Sequence, residues 1–207
     1  MSARESILEK VYNPADSREL MSAYSDWAAE YDRDTVEEFG YVGYKVCAEL
    51  MDKHLNGDFK AHILDAGCGT GLVAEILQPR GYASQDGLDY SREMLDQAEK
   101  KGVYENLFQM DLTRPLDIKD NTYDAVVCAG TLTYGHVGPQ VFSEFVRITK
   151  PGGIICFTIR EGAYEDYDYR KEMLRMENEG AWELVEMLDE DYYREKVKGK
   201  MCVYRGV

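Results

Sequence analysis

Three glycines at alternate positions, Gly67, Gly69 and Gly71, follow a carboxylate, Asp65, at the end of an apolar run. A loop on whose bare backbone a ligand can lie needs residues that reach positive φ and carry no Cβ. The apolar pattern after the loop is helical, and the first N–H groups of such a helix point at the same place. This stretch therefore predicts a strand, a ligand-binding glycine loop and a helix.

The spacing and charge of this loop discriminate between two ligands. A dinucleotide-binding loop has the pattern G-x-G-x-x-G, whereas this loop has G-x-G-x-G with Asp65 two residues ahead of it. A carboxylate there would repel a pyrophosphate and attract a ligand that carries an ammonium and a sulfonium. The loop therefore favours S-adenosylmethionine over NAD as the cofactor.

The loop also carries a family resemblance. Residues 63–74, ILDAGCGTGLVA, resemble motif I of the class I S-adenosylmethionine-dependent methyltransferases. Residues 24–32, YSDWAAEYD, are similar to the Williams-Beuren-region methyltransferase-like subgroup, and the resemblance extends from about Asp16 to the C-terminus. It implies transfer of a methyl group to an acceptor by in-line displacement, with S-adenosylhomocysteine as the product. It implies no particular acceptor.

Carboxylates follow two further predicted strands. Asp89 ends the second strand, where ligands bind in open α/β sheets and where an acidic residue can accept hydrogen bonds from both ribose hydroxyls. The alternative is that Asp89 caps the next helix, although Ser91 is better placed to do so. After the third strand, the resemblance assigns Asp111 and the backbone N–H of Leu112 to the adenine.

Other predicted cofactor contacts lie beside these carboxylates. Tyr90 and Met94 are within reach of the adenine face, where an aromatic ring or a thioether can pack. Tyr31 ends a helical aromatic stripe, and the resemblance places it beside the cofactor, although such stripes more often pack on the core. The predicted cofactor-binding residues are Tyr31, Asp65, Gly67, Cys68, Gly69, Gly71, Asp89, Tyr90, Met94, Asp111, Leu112 and Cys128.

One histidine lies near the expected site. His136 follows the fourth predicted strand, in a segment of small residues that would let donor and acceptor approach closely. It could take a proton from an acceptor hydroxyl or amine and is the predicted catalytic residue. The alternative is an exposed loop residue, because methyl transfer from a sulfonium can rely on in-line proximity and removal of water.

From Ala61 onward, strand-like and helical runs alternate, which predicts an α/β fold with a Rossmann-like, doubly wound sheet. About seven strands are expected, mostly parallel and closed by a C-terminal antiparallel hairpin. They are predicted at residues 62–65, 82–88, 106–109, 125–129, 154–159, 181–192 and 200–204. Helices from Asp16 and over residues 41–55 are expected to form an N-terminal lid, and residues 163–178 one acidic helix.

Length and composition limit the remaining possibilities. With 207 residues, 44% of them hydrophobic, we expect a single domain, with a helical lid over 1–57 and a sheet core over 61–207. The net charge of −15 repels phosphate backbones and argues against nucleic acid, although it could serve solubility alone. Five cysteines without a C-x-x-C pattern indicate buried thiols of a reduced compartment, not a zinc site. A cytoplasmic monomer without a membrane segment is expected.

The acceptor is predicted by its surroundings only. The lid and the segments after the fourth and fifth strands are rich in tyrosine and carboxylates, which suits a small neutral or cationic acceptor, with a protein acceptor as a further possibility. Two other functions remain open. A non-catalytic S-adenosylmethionine-binding module would keep the loop and Asp89 but turn nothing over. An NAD-dependent oxidoreductase is disfavoured by Asp65, the glycine spacing and the hairpin.

Overall fold

The strands of the protein form one seven-stranded sheet. The computed structural model describes residues 11, 17–193 and 197–207. The strands are β1 (Ile63–Ala66), β2 (Gln85–Asp89), β3 (Asn106–Gln109), β4 (Tyr123–Leu132), β5 (Thr149–Arg160), β6 (Trp182–Tyr193) and β7 (Val197–Gly206). Their order is β3-β2-β1-β4-β5-β7-β6. Strands β1 to β5 are parallel and β7 is antiparallel to both of its neighbours, which confirms the predicted sheet and its hairpin.

Helices cover both faces of this sheet. They are α1 (Ser17–Trp27), α2 (Tyr31–Arg33), α3 (Gly43–Leu55), α4 (Leu72–Leu77), α5 (Arg92–Lys101), α6 (Val141–Ile148), α7 (Ala163–Asp166) and α8 (Tyr169–Asn178). A π-helical turn, Asp34–Glu38, continues α2, and a 3₁₀ turn, Gln78–Arg80, continues α4. None of the helices in the described ranges combines the length and apolar character needed to cross a bilayer.

The sheet separates two apolar cores. Successive side chains of a strand point to opposite faces, and Ile63 and Leu64 of β1 accordingly belong to different cores. One core stacks aromatic rings from α6 and the C-terminal strands, with the centroids of Trp182 and Tyr204 4.1 Å apart. The other packs α3 and α4 on the sheet. All five cysteines are buried free thiols, as predicted.

The lid lies over the carboxyl ends of the strands and is tied down there. Trp27 is 4% exposed and packs in a small apolar cluster, as expected for a helical aromatic stripe that packs on the core. Asp32 accepts a hydrogen bond from Thr70 Oγ1 in the glycine loop. Its other oxygen is 2.6 Å from Lys101 Nζ at the end of α5. These contacts link α2 to the part of the sheet that carries motif I.

Several predicted boundaries differ from the structure. β2 starts at Gln85 and not at 82, because the buried Tyr82 side chain turns to Asp52 of α3, 2.9 Å from its carboxylate. The expected acidic helix over 163–178 is two helices, since Asp168 has a left-handed φ of +57°. Helix α1 begins at Ser17, and Asp16, where the helix was expected to begin, lies outside the described residues.

Candidate functional site

A cleft opens at the carboxyl ends of β1 to β4. Its cavity volume is about 140 Å³, and its empty space is about 870 Å³ when the open mouth is included. Nine predicted residues line it: Tyr31, Gly67, Gly69, Asp89, Tyr90, Met94, Asp111, Leu112 and His136. Four others, Asp65, Cys68, Gly71 and Cys128, lie outside the lining.

The glycines of the loop serve different purposes. Gly69 has a φ of +54°, and a Cβ built on it would have no heavy atom within 4 Å, so its bare backbone faces the open cleft. A Cβ on Gly67 would lie 2.2 Å from Thr131 Oγ1, so this glycine lets the end of β4 approach the loop. Gly71 has a φ of +93° and begins α4, against the ring of Tyr104. Only the first of these leaves room directly above the backbone for a ligand.

Asp89 is held by the loop that it adjoins. Its Oδ2 accepts the N–H of Gly69 at 2.8 Å, and its Oδ1 accepts the N–H of Ser91 at 2.9 Å. Burial raises the pKa of Asp89, against the opposing effect of these backbone bonds. Each carboxylate oxygen keeps a lone pair, so the pair can accept two further hydroxyls. Ser91 Oγ accepts the N–H of Met94 at 3.2 Å and is therefore the helix cap.

Asp65 lies beneath the loop and not in the cleft. It is 2% exposed, and Tyr104 donates its hydroxyl to Asp65 Oδ2 at 2.7 Å. Burial raises the pKa of Asp65 to about 7, with the charge of Asp89 adding to the shift and the Tyr104 hydrogen bond opposing it. Asp65 can therefore act on a bound cation through its field. Tyr104 was not predicted, because it precedes β3 in a segment without a motif.

Two of the predicted cysteines place their thiols away from the cleft. Cys68 is 7% exposed, and its sulfur packs against β2, 3.0 Å from the position of a Cβ on Gly87. Cys128 is fully buried in the core beneath the cleft. Burial raises the pKa of both thiols. Neither sulfur is therefore in a position to contact a ligand in the cleft.

The predicted adenine end contains Asp111, Leu112, Tyr90 and Met94. Asp111 Oδ1 accepts the N–H of Thr113 at 2.8 Å, as in a turn, and the residue lines the cleft as well. Leu112 and Met94 are 6% and 2% exposed, whereas Tyr90 is 46% exposed. This end of the cleft thus offers a buried apolar floor and one exposed aromatic ring for a flat ligand ring.

His136 is paired with a tyrosine of the lid. Its Nδ1 is 2.6 Å from the backbone oxygen of Tyr134, which can only accept, so Nδ1 carries the proton. Its Nε2 therefore accepts the hydroxyl of Tyr24 at 2.8 Å. Burial lowers the pKa of His136, which favours this neutral ring. Both side chains line the cleft, so His136 is not the exposed loop residue of the alternative interpretation.

Comparisons with known proteins agree with this geometry. The "Methyltransferase domain" family matches residues 64–157. Human Methyltransferase-like protein 27 is 34% identical over 174 residues, which cover 81% of this chain and 70% of the human protein. The chain belongs to the S-adenosylmethionine-dependent methyltransferases. The resemblance to the Williams-Beuren-region subgroup is confirmed by the same match.

More distant relatives of this methyltransferase extend the comparison. Malonyl-[acyl-carrier protein] O-methyltransferase of Buchnera aphidicola is 28% identical over 154 residues, 74% of this chain and 59% of that protein. A solved TehB-like S-adenosylmethionine-dependent methyltransferase from Corynebacterium glutamicum is 19% identical, with a TM-score of 0.67 over 90% of this chain and 100% of that one. The chain thus spans little more than half of the Buchnera relative, and the structural match concerns the fold.

The residues of the methyltransferase fit S-adenosylmethionine on two observations. The backbone at Gly69 is open to the cleft, as a ligand lying on the loop requires. Asp89 has a free lone pair on each oxygen beside that loop, as two ribose hydroxyls require. The cofactor supplies a methyl group on a positively charged sulfur. The chain's own contribution is to bind it, exclude water under the lid and present an acceptor.

Proposed function

We propose that this methyltransferase transfers the methyl group to a small-molecule acceptor that enters the cleft beside Tyr24 and His136. The observation that supports this proposal most directly is that the hydrogen-bonded pair lines the same cleft as Gly69 and Asp89. A donor on the loop and an acceptor at the pair would therefore share one cavity. Proximity of this kind supplies much of the rate enhancement in a displacement reaction.

Nine of the predicted cofactor-binding residues have a role in this proposal. The backbone of Gly67 and Gly69 supports the cofactor, Asp89 binds the ribose, and the adenine lies between Asp111, Leu112, Met94 and Tyr90. Tyr31 covers the cofactor from the lid. Asp65 supplies negative charge from beneath the loop. Residues 1–57 act as the lid and 61–207 as the core of a single catalytic unit.

A small acceptor is supported by how the cleft is covered. The lid is fixed across it by the contacts of Asp32 with Thr70 and Lys101. A covered cleft of this volume suits a small molecule better than a folded protein surface. The name of the Buchnera relative, an O-methyltransferase of a malonyl group on a carrier protein, does not fix the acceptor here, because the chain spans only 59% of that protein.

The test uses donor labelled with tritium in the transferred methyl group. The protein is incubated with a metabolite extract and a protein extract, and the label is followed into each fraction. Label in the small-molecule fraction, absent with Gly69→Val, is the expected result. Label in the protein fraction alone would replace the proposal with a protein acceptor. Tight binding of S-adenosylhomocysteine without any transfer would favour the non-catalytic module.

A further inference from the structure

A second, smaller cavity adjoins the cofactor cleft behind the lid. We call it the aromatic chamber, and its walls include Trp27, Phe39, Tyr41, Tyr192 and Tyr193. Its cavity volume is about 30 Å³, and its empty space is about 400 Å³ when the open mouth is included. The chamber and the cleft share Tyr24, Tyr31, Gly130 and His136 as lining residues, so the two cavities meet at the Tyr24–His136 pair.

Three buried hydroxyls of the chamber have no hydrogen-bond partner among the described residues. They are Oγ1 of Thr35, the hydroxyl of Tyr41 and Oγ1 of Thr133. These residues are 4%, 6% and 4% exposed. A buried hydroxyl without a partner is costly, and native proteins contain few of them. Three in one cavity provide hydrogen-bonding groups for a polar molecule, either water or a ligand.

The Tyr41 hydroxyl lies at the junction of the two cavities. A Cβ built on Gly130 would be 2.9 Å from this oxygen, and Gly130 lines both the chamber and the cleft. Thr133 directly follows β4, on the same side of the site. A molecule in the chamber that bonds these hydroxyls would thus point toward the cofactor cleft.

The charge of the chamber selects among acceptors. None of its described lining residues is Lys, Arg, Asp or Glu, and His136 has a neutral ring. A carboxylate or phosphate acceptor would therefore find no cationic side chain in the chamber to offset the cost of burying its charge. The faces of tyrosine and tryptophan rings attract cations instead. The chamber therefore favours an acceptor that becomes positively charged over one that is negatively charged.

The bases available in the chamber also limit the kind of acceptor that it can activate. An alcohol must lose its proton to become a good nucleophile, but the lone pair of His136 Nε2 already accepts the Tyr24 hydroxyl. No carboxylate is among the described lining residues. An amine attacks as its free base: an ammonium ion gives its proton to solvent before it enters the chamber, so no base is needed at the point of attack. We infer that, given the proposed methyltransferase function, the aromatic chamber is the acceptor subsite and takes a compact primary or secondary amine.

Transfer of the methyl group to a neutral amine conserves both atoms and charge. The nitrogen lone pair forms the N–C bond while the C–S bond breaks, and its electron pair stays on the sulfur as a neutral thioether. The positive charge moves from sulfur to nitrogen, so the site holds one positive charge before and after transfer. The aromatic rings stabilise the new ammonium ion. It can lose a proton to solvent after release.

The first experiment uses matched probes. Calorimetry first establishes that S-adenosylhomocysteine binds, and failure at this point would count against the proposed function itself. Benzylamine, benzyl alcohol and benzoate, which share a skeleton, are then incubated with labelled donor, as are propylamine, 1-propanol and propanoate. Only the amines should yield N-methyl products by mass spectrometry. Methylation of an alcohol or acid, or of no probe by protein that binds S-adenosylhomocysteine, would overturn the inference.

The second experiment removes the hydroxyls without changing shape. Thr133→Val and Tyr41→Phe should each raise the KM for the amine substrate about tenfold, which corresponds to about 1.4 kcal/mol. The Kd for S-adenosylhomocysteine should change less than about twofold, since neither side chain lines the cofactor cleft. Thr122→Val is the matched control, because it removes a hydroxyl at the opposite end of β4. An unchanged KM in both chamber variants would show that the hydroxyls do not bind the acceptor.

Discussion

Asp65 is a buried carboxylate beneath a site for a cation. Its pKa of about 7 lies above the ordinary value of 3.8 because burial disfavours its charge. The folded protein therefore keeps a proton that the unfolded chain has lost between about pH 4 and pH 7, and the group's contribution to stability falls as pH rises through that range. A bound sulfonium or ammonium favours the charged carboxylate, so cation binding and loss of this proton are coupled.

This coupling predicts a pH dependence of cofactor binding. The Kd for S-adenosylmethionine should fall by up to about tenfold as pH rises by one unit toward pH 7. S-adenosylhomocysteine lacks the sulfonium and should respond less. Isothermal titration calorimetry at two pH values measures both constants, and Asp65→Asn should abolish the difference between the two ligands. The same pH dependence in Asp65→Asn would identify another titrating group.

Asp89 and Ser91 have different roles: Asp89 is proposed to bind the ribose, and Ser91 caps helix α5. Asp89→Ala should weaken S-adenosylmethionine binding by about 2–3 kcal/mol, because two charge-assisted hydrogen bonds to the ribose are lost. Ser91→Ala should instead lower the stability by about 1 kcal/mol, since it removes the acceptor for the Met94 N–H. Calorimetry and urea unfolding measure the two effects. Binding by Asp89→Ala as tight as that of the parent would leave Asp89 with a structural role only.

At the scale of single residues, the sequence predicts the roles of residues that are close together in the chain. The Asp89 and Ser91 positions follow from a strand end and a helix start two residues apart, so their spacing is informative. Tyr104 and Asp65 are 39 residues apart, and Tyr24 and His136 are 112 apart. No local pattern connects such pairs, because the fold alone brings them together. The same holds for the three hydroxyls of the aromatic chamber.

Among the elements, the lid is attached to the sheet core partly through Asp32. Asp32 of α2 contacts Lys101, which also binds Glu75 at 2.6 Å. Asp32→Asn should weaken this attachment by about 0.5–1 kcal/mol, a modest value because the pair is partly exposed. Release of S-adenosylhomocysteine in stopped flow should become about two- to fivefold faster, with faster hydrogen exchange over residues 17–38. Glu75→Gln, which removes the other partner of Lys101, is the control and should leave lid exchange unchanged.

Predicted boundaries of helices and strands are wrong where a contact between residues far apart in the sequence overrides the local pattern. The acidic segment 163–178 has helical composition throughout, yet it breaks at Asp168. The adjacent Tyr169 is fully buried and donates its hydroxyl to the backbone oxygen of Val137, 32 residues earlier. Turning that side chain into the core requires a change of chain direction, which Asp168 provides in a left-handed conformation. Composition cannot indicate such a requirement.

Over the whole molecule, the N-terminal lid and the C-terminal hairpin meet at the aromatic chamber. Tyr41 of the lid forms a bridge with Tyr193 of β6, and the N–H of Val42 donates to the oxygen of Tyr192 at 3.0 Å. The chamber thus takes its walls from the lid, the segment after β4 and the C-terminal hairpin. An acceptor site assembled from three distant segments is the part of the molecule for which sequence patterns are least informative.

The net charge of −15 also acts at this scale. The residues that we call the acidic rim, Glu165, Asp166 and Asp168, follow β5, and Asp166 accepts the hydroxyl of Tyr134, two residues before His136, at 2.9 Å. Negative potential at an entrance raises the local concentration of cations, and salt screens it over a Debye length of about 8 Å at physiological ionic strength. Such a rim should attract the ammonium form of an amine and repel phosphorylated molecules.

Neutralising the rim tests this steering. Glu165→Gln, Asp166→Asn and Asp168→Asn together should raise the KM for an amine acceptor about two- to tenfold at low salt, without changing that for S-adenosylmethionine. The difference should vanish near 1 M salt, where the Debye length is about 3 Å. A second triple variant, Glu49→Gln, Asp58→Asn and Glu99→Gln, changes the net charge equally at exposed positions elsewhere and should leave the acceptor KM unchanged. If both triple variants behave alike, only the total charge matters; if neither responds to salt, the acidic rim is a solvated surface without a part in acceptor binding.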